Sequence, residues 1–257
     1  MMKSFENKVC VVTGGAAGIG LATAKLFAAQ GGNVIIACRS DARDLARKLD
    51  GHYVRTDVSV EADVERLFTE IADQFGRVDV LVNNAGIMAT AEIEELAADE
   101  FDRHLAVNVR GVLLGTKYGS RLMSGGGAIV NSASVAGQIG LSGYASYSTS
   151  KAAIISLTQV AAIEYGARGI RVNCVCPSSV ETPMLAAQEN GDLEREISRL
   201  ASPLGFTIQP EHVADVIAFL ASPAAAAITG QAINVDAGMT AGYSDPLLEA
   251  VAATLVS

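Results

Sequence analysis

The sequence predicts an α/β fold, a doubly wound parallel sheet of about seven strands with helices on both faces. Two observations carry that expectation. Strand-like and helix-like segments alternate four times before residue 125 and continue afterwards, which is the chain order of strand–helix–strand crossovers. The first strand-like run, Lys8 to Thr13 (KVCVVT), is apolar and valine-rich rather than alternating, as in a strand buried on both faces of a parallel sheet. No linker or repeat divides the 257 residues, so residues 1–257 read as one domain.

Taken in order, the first strand is followed by GGAAGIG and then LATAKLFAAQGG, a helical pattern closed by glycines. Strand, glycine-rich turn and helix N-terminus together make an anion site, because backbone N–H groups and the helix dipole converge where glycine lets a ligand approach. The glycines Gly14, Gly18 and Gly20 are spaced G-x-x-x-G-x-G. The second strand is Asn33 to Cys38, and a short helix covers Asp41 to Leu49. An acidic residue at the end of such a strand holds the ribose hydroxyls of NAD. Here that place holds Cys38, and Arg39 follows. Arginine cannot accept from a hydroxyl but pairs well with a 2′-phosphate. The position therefore favours NADP(H), with NAD(H) as the alternative.

A third strand, HYVRTDV, brings Asp57 and Val58 to the same edge, and Val60 to Phe75 is an amphipathic helix with Val64, Leu67, Phe68 and Ile71 inward. A fourth strand, VDVLVNNAG, ends in Asn83, Asn84, Ala85 and Gly86, which should line the cleft beyond the strand ends. Asp99 to Met123 is mostly helical and carries Asn108 among apolar residues, where a polar amide needs a partner. The fifth strand, AIVNSAS, is expected to end at Ser134, and the sixth is IRVNCVCP. Residues 184–207 show no firm core pattern, and long excursions of that kind are often lids. A short helix from Glu211 to Leu220 and a last strand, QAINVDAG, complete the sheet.

Tyr147 and Lys151 stand four residues apart at the start of a long helical stretch, which puts both side chains on one face. A free tyrosine titrates near ~10, and a lysine cation beside it favours the phenolate. Spacing alone would fit a surface pair on any helix. The glycine turn, the Asn-Asn-Ala-Gly stretch and Ser134, thirteen residues before the tyrosine, make it a chemical device.

Assembled, these motifs resemble the short-chain dehydrogenase/reductase family over essentially the whole chain. The resemblance rests on TGGAAGIG (Thr13 to Gly20), NNAG (Asn83 to Gly86), Asn108, Ser134, Tyr147 and Lys151. It implies a Rossmann-type fold, a nicotinamide cofactor and hydride transfer between an alcohol and a ketone. By the same resemblance Tyr147 is the acid/base, Lys151 lowers its pKa and holds the nicotinamide ribose, Ser134 holds the substrate oxygen, and Asn108 positions a water linking Lys151 to solvent. Gly14, Gly18, Ile19 and Gly20 would sit at the diphosphate, and Asp57 and Val58 at the adenine. Asn83, Ala85 and Gly86 would flank the cofactor, and Val180 and Thr182 would contact the carboxamide. The family usually has Pro-Gly after the sixth strand; Ser178 replaces that glycine here and puts the local backbone path in question.

Composition narrows the partners. The net charge of −9 argues against nucleic acid and anionic membrane surfaces. No apolar run approaches the ~20 residues of a membrane span, and the N-terminus shows no secretion signal. Cys10, Cys38, Cys174 and Cys176 lie in or beside strands and the three histidines are scattered, which fits reduced core thiols in a cytoplasmic protein and no metal site. Gln138 to Tyr144 and Met184 to Phe206 mix apolar and small polar residues without a basic cluster, favouring a small, neutral, fairly apolar alcohol or ketone. A reductase of acyl chains on a carrier protein is a rival reading, but acidic carriers usually dock on basic patches. A catalytically silent dinucleotide-binding regulator is another, although a sensor needs no Ser134–Tyr147–Lys151 set. The apolar residues Val107, Val109, Val112 and Leu113, with Ile154, Ile155, Leu157, Val160 and Ile163, run around much of their helices. Helices of that kind are buried on more than one side, and with the resemblance they predict a homotetramer. Leu247, Leu248, Val251 and Leu255 give the tail a helical spacing that could cover a neighbour or the cleft.

Overall fold

A computed structural model describes residues 4–188 and 190–256. Among them, seven parallel strands form one sheet: β1 (Val9–Thr13), β2 (Asn33–Cys38), β3 (His52–Arg55), β4 (Val80–Asn83), β5 (Gly127–Ser132), β6 (Ile170–Pro177) and β7 (Ala232–Val235). Their spatial order is β3-β2-β1-β4-β5-β6-β7. The winding reverses between β1 and β4, so a crevice opens beyond their carboxyl ends. Val11 pairs with Ile35 on one side and Leu81 on the other, and all three are fully buried.

Each face of the sheet buries its own layer. On one, α1 (Gly18–Ala29), α2 (Arg43–Lys48) and α9 (Pro210–Ala221) pack Phe27, Ala46 and Ile217 against Ile36 and Val130. On the other, α3 (Glu61–Phe75), α5 (Gly111–Arg121) and α6 (Ala145–Gly166) pack Leu67, Ile71, Leu114 and Ala161 against Leu81 and Ile129. Each large side chain buried this way contributes roughly 1.5–3 kcal/mol. The face predicted for α3 is the one buried, and the helix stops at Gly76 in a left-handed conformation. Between α4 (Ala98–His104) and α5 the helix widens into a π-helical turn, Leu105–Arg110.

Three elements depart from the sequence expectation. β5 ends at Ser132, not Ser134; Ser134 instead caps a 3₁₀ turn, Val135–Gly137, accepting from the Ala136 N–H. The mixed segment after β6 is ordered into α7 (Pro183–Ala186) and α8 (Gly191–Ala201), because its apolar residues gather on one stripe at helical spacing. Ser178 needs no glycine conformation, since it is not among the residues with positive φ and its N–H continues the pairing to Val235. The tail is helical, α10 (Asp245–Val256), and packs against α8, with Leu248 and Val251 exposed. The side chain of Leu255 lies outside the described residues. Among those residues no helix is long and apolar enough to cross a membrane, and no cluster of His, Cys, Asp and Glu could hold a metal ion.

Candidate active site

A cleft of about 500 Å³ lies over the switch point between β1 and β4. Its floor is the turn from β1 into α1. Gly14 and Gly18 both have positive φ, 66° and 50°, and a Cβ on Gly14 would stand 2.9 Å from the Ala85 Cα. A Cβ on Gly20 would be 2.3 Å from the Gly14 carbonyl oxygen, so the turn closes only with glycine. The α1 N-terminus has no side-chain cap and no acidic residue in its first turn. Its N–H groups and dipole are left for an external anion. Gly14, Ala17, Gly18 and Ile19 line the cleft there, so the cradle fits the diphosphate of a dinucleotide.

The second wall element is the loop after β4. The Thr13 hydroxyl accepts from the Asn84 and Ala85 N–H groups at 3.0 and 3.1 Å, and the Asn84 amide donates to the Thr13 carbonyl at 3.0 Å. This clasps the loop to the glycine turn and sets Asn84, Ala85 and Gly86 on the cleft. Asn83 is not there. Its side chain turns into the interior, donating to Asn131 Oδ1 at 2.9 Å and Thr116 Oγ1 at 3.2 Å. Strand alternation is the reason: Asn83 closes β4 facing α5, and the next residue faces the other way. Asn84 is the residue the sequence reading left out of its cofactor set, and that alternation was the signal for it.

Ser134, Tyr147 and Lys151 meet on the cleft. Ser134 is held by its bond from the Ala136 N–H at 3.1 Å and its own donation to the Pro177 carbonyl at 3.3 Å, and it lines the cleft with Tyr147. Lys151 Nζ donates to the Ser132 carbonyl at 2.7 Å and lies 5.4 Å from the Tyr147 ring centroid. Gly86 leaves room for it: a Cβ there would be 3.7 Å from Nζ and 3.2 Å from Asn108 Oδ1.

The protonation balance differs from the sequence expectation. Burial pushes the Tyr147 phenol up to about 12, against the smaller, lowering influence of the Ser134 hydroxyl. Burial also brings Lys151 down to about 8. The lysine binds a carbonyl rather than the phenol oxygen, so desolvation outweighs its effect on the phenolate. The chain's own groups therefore hold Tyr147 as a proton donor at neutral pH.

Asn108 sits in the π-helical turn and is fully buried. Its Oδ1 accepts from the Ile87 N–H at 2.9 Å, and its Nδ2 donates to the Ile87 carbonyl at 3.0 Å and to Ser150 Oγ at 2.9 Å. The amide thus locks the loop after Gly86 to the helix carrying Lys151, and π-turns of this kind recur at functional sites. Thr182 caps α7 and its methyl would stand 3.0 Å from a Cβ on Gly18, while Val180 is buried and paired with Ile208.

At the far end of the sheet, Cys38 is buried with its thiol on the Ser40 carbonyl, and Arg39 is exposed with no hydrogen bond or ion pair among the described residues. The Asp57 carboxylate is engaged by the Ser59 N–H and hydroxyl, and Val58 packs under Gly111. These four lie outside the main cleft, along the strand-end edge that extends it.

The family model described as enoyl-(acyl carrier protein) reductase matches residues 14–240. A cis-4-hydroxycyclohexanecarboxylate dehydrogenase of Sinomonas cyclohexanicum is 43% identical over 94% of this chain and the whole of its own. A meso-2,3-butanediol dehydrogenase of Serratia marcescens is 38% identical over 94% of this chain and 98% of its own. The crystal structure of a levodione reductase superposes with a TM-score of 0.88 at 33% identity, covering 93% of this chain and 100% of that one. With the cradle, the clasped loop and the Ser134–Tyr147–Lys151 cluster already in place, these likenesses establish that the chain belongs to the short-chain dehydrogenase/reductase family and is a nicotinamide-dependent oxidoreductase acting on CH–OH groups.

Proposed function

We propose that the chain interconverts a secondary alcohol and its ketone with Tyr147 as acid/base, and that it uses NADP(H) in preference to NAD(H). The observation that carries the reading is the meeting of Ser134, Tyr147 and Lys151 beside an uncapped, glycine-lined helix N-terminus. The nicotinamide, when bound, supplies or takes up the hydride. The rest falls to side chains. Ser134 donates to the substrate oxygen, and Tyr147 gives that oxygen its proton in reduction or removes it in oxidation. A positioned hydroxyl and an acid together stabilise the alkoxide-like charge that develops there. Lys151 holds the ribose, and Asn108 keeps the Ile87 loop and the Ser150 turn in register and positions a water toward Lys151.

Gly14, Gly18, Ile19 and Gly20 hold the diphosphate, Ala85 and Gly86 flank the cofactor, and Val180 and Thr182 reach the carboxamide. Asp57 and Val58 border the adenine. Free, exposed Arg39 beside non-acidic Cys38 supports pairing with a 2′-phosphate. Residues 184–207 act as a substrate lid, a reading supported by Met184, Leu185, Ile197 and Ser198 lining the same cleft as Tyr147. Subunits associate as a tetramer through α5 and α6, whose Leu113, Val160 and Ile163 are exposed, the last 82% so. The four free, buried cysteines support a cytoplasmic setting.

A turnover screen over ketones and secondary alcohols with each cofactor tests the reading. Turnover with NADPH above NADH is expected; no turnover with any pair would overturn it.

A further inference from the structure

We infer that Glu194 and Ser198 form a polar subsite on α8 that takes a second hydroxyl of an otherwise apolar alcohol substrate. This rests on the alcohol-oxidising reading above and narrows its substrate class. The two residues are four apart, so they share a helix face, and both line the cleft beside apolar Ile197 and Leu185. Glu194 Oε1 and Ser198 Oγ are buried and have no hydrogen-bond partner among the described residues. Ser198 as a whole is only 1% exposed.

Buried polar atoms are nearly always paired, because leaving one unpaired costs the desolvation of that group. The local partners that could have satisfied these two do not. Arg195 is engaged with Glu181 at 3.0 Å and Asp192 at 2.6 Å, and Arg199 with Glu196 at 2.6 Å. Some buried helical hydroxyls bond the carbonyl four residues back, as Thr23 does to Ile19 and Thr158 to Ile154, both at 2.8 Å. Ser198 makes no such bond, so its hydroxyl stays available to the cleft.

The chemistry of the pair selects the guest. A carboxyl and a hydroxyl together accept from, and donate to, another hydroxyl. A wholly apolar guest would seal both atoms away unpaired, and a carboxylate or phosphate would meet the Glu194 carboxyl with like charge. An ammonium group would need an ionised partner, and burial raises the Glu194 pKa by penalising that charge, which disfavours such a guest relative to a neutral hydroxyl.

The test compares kcat/KM for cyclohexanol, cyclohexane-1,4-diol, 4-aminocyclohexanol and 4-hydroxycyclohexanecarboxylate. The diol should exceed cyclohexanol by about ten- to hundredfold, with the carboxylate below both. In Glu194→Leu and in Ser198→Ala the diol-to-cyclohexanol ratio should fall toward one, while Glu194→Gln, which keeps an acceptor, should retain most of it. Cofactor fluorescence titration confirms that each variant is folded. Equal rates on diol and cyclohexanol, survival of the preference in both variants, or a preference for the carboxylate or the amine would each overturn the subsite. Loss of turnover with all four alcohols would instead remove the underlying reading, and the subsite with it.

Discussion

On the wall built from β1, β4 and β5, polar side chains face one another; on the wall built from α7 and α8 they face the cleft. Thr13 and Asn84 clasp two loops, Asn108 grips both backbone groups of Ile87, and Asn131 passes a bond from Asn83 to Thr158. On the same cleft, Glu194 and Ser198 offer atoms that nothing among the described residues satisfies. A network whose members bond one another fixes geometry, although Asn83 Oδ1 is left without a partner among the described residues, whereas polar atoms turned to a cleft are completed by a guest. On the proposed function, the difference separates what the enzyme holds constant, the cofactor and proton donor, from what it adapts, the substrate.

The sharpest break of the first wall is Tyr147→Phe, which removes the proton donor and leaves the cradle untouched. We expect kcat to fall by about 10² to 10⁴, the usual range for loss of general acid/base catalysis, with cofactor affinity little changed by fluorescence titration. Turnover near the native rate would take the role away from Tyr147. The next break is at the sheet edge. Arg39→Ala should lower kcat/KM with NADPH by about ten- to hundredfold, because a hydrogen bond to a charged group contributes about 1.5–3 kcal/mol. An equal loss with NADH would mean the guanidinium stacks on the adenine that both cofactors share.

The pH dependence probes the balance between burial and charge in the first wall. With the Tyr147 phenol pushed up to about 12, the phenolate is a small fraction between pH 7 and 9 and grows about tenfold per unit. Oxidation needs that phenolate, so kcat/KM for an alcohol should climb over this window. Reduction needs the protonated phenol, which is present throughout, and should stay level. Lys151, brought down to about 8, sheds its charge as pH passes that value and with it the attraction for a phenolate, so the climb should slacken above pH 8. An oxidation profile flat from pH 7 to 9 would show the phenolate already formed.

The fixed wall was the legible one. Glycines at a strand-to-helix turn, an i, i+4 tyrosine–lysine pair and a serine before them are sequence-local, and their geometry follows from helix and strand periodicity. The parallel sheet of seven strands, β2, β6 and the buried face of α3 followed from the same periodicities. What escaped depends on contacts between distant segments. Asn83 and Asn84 look equivalent in sequence, and only strand direction sends one to Thr116 and the other to Thr13. The Tyr147 proton balance could not be read either, since it depends on how much water the fold removes from two side chains. The segment after β6 hid α8 because the polar face of that helix carries Asp192, Glu196 and Arg199, which mask the apolar stripe when the segment is read as a string.

Two substitutions that touch neither proton donor nor cradle set the walls against each other. Gly115 on α5 approaches the sheet so closely that a Cβ would stand 2.2 Å from Asn83 Oδ1. Asn83 cannot yield freely, because its Nδ2 is tied to Asn131 and Thr116. Gly115→Ala therefore overpacks the satisfied wall, at a cost of about 1–3 kcal/mol, and should lower Tm by roughly 2–10 °C for a chain of this size. Ile197 is the contrary case: it lines the cleft yet is 49% exposed, so little is buried by folding alone. Ile197→Ala should leave Tm within about 2 °C, since half-exposed positions contribute little to stability. Its effect should appear when a substrate covers it, as a KM for an apolar alcohol raised by about three- to tenfold, from the loss of one or two methylene-sized contacts. Thermal melts and steady-state kinetics on the same two proteins decide the matter. If Ile197→Ala melts early while its KM is native, α8 belongs to the fixed frame, and the division between the walls fails.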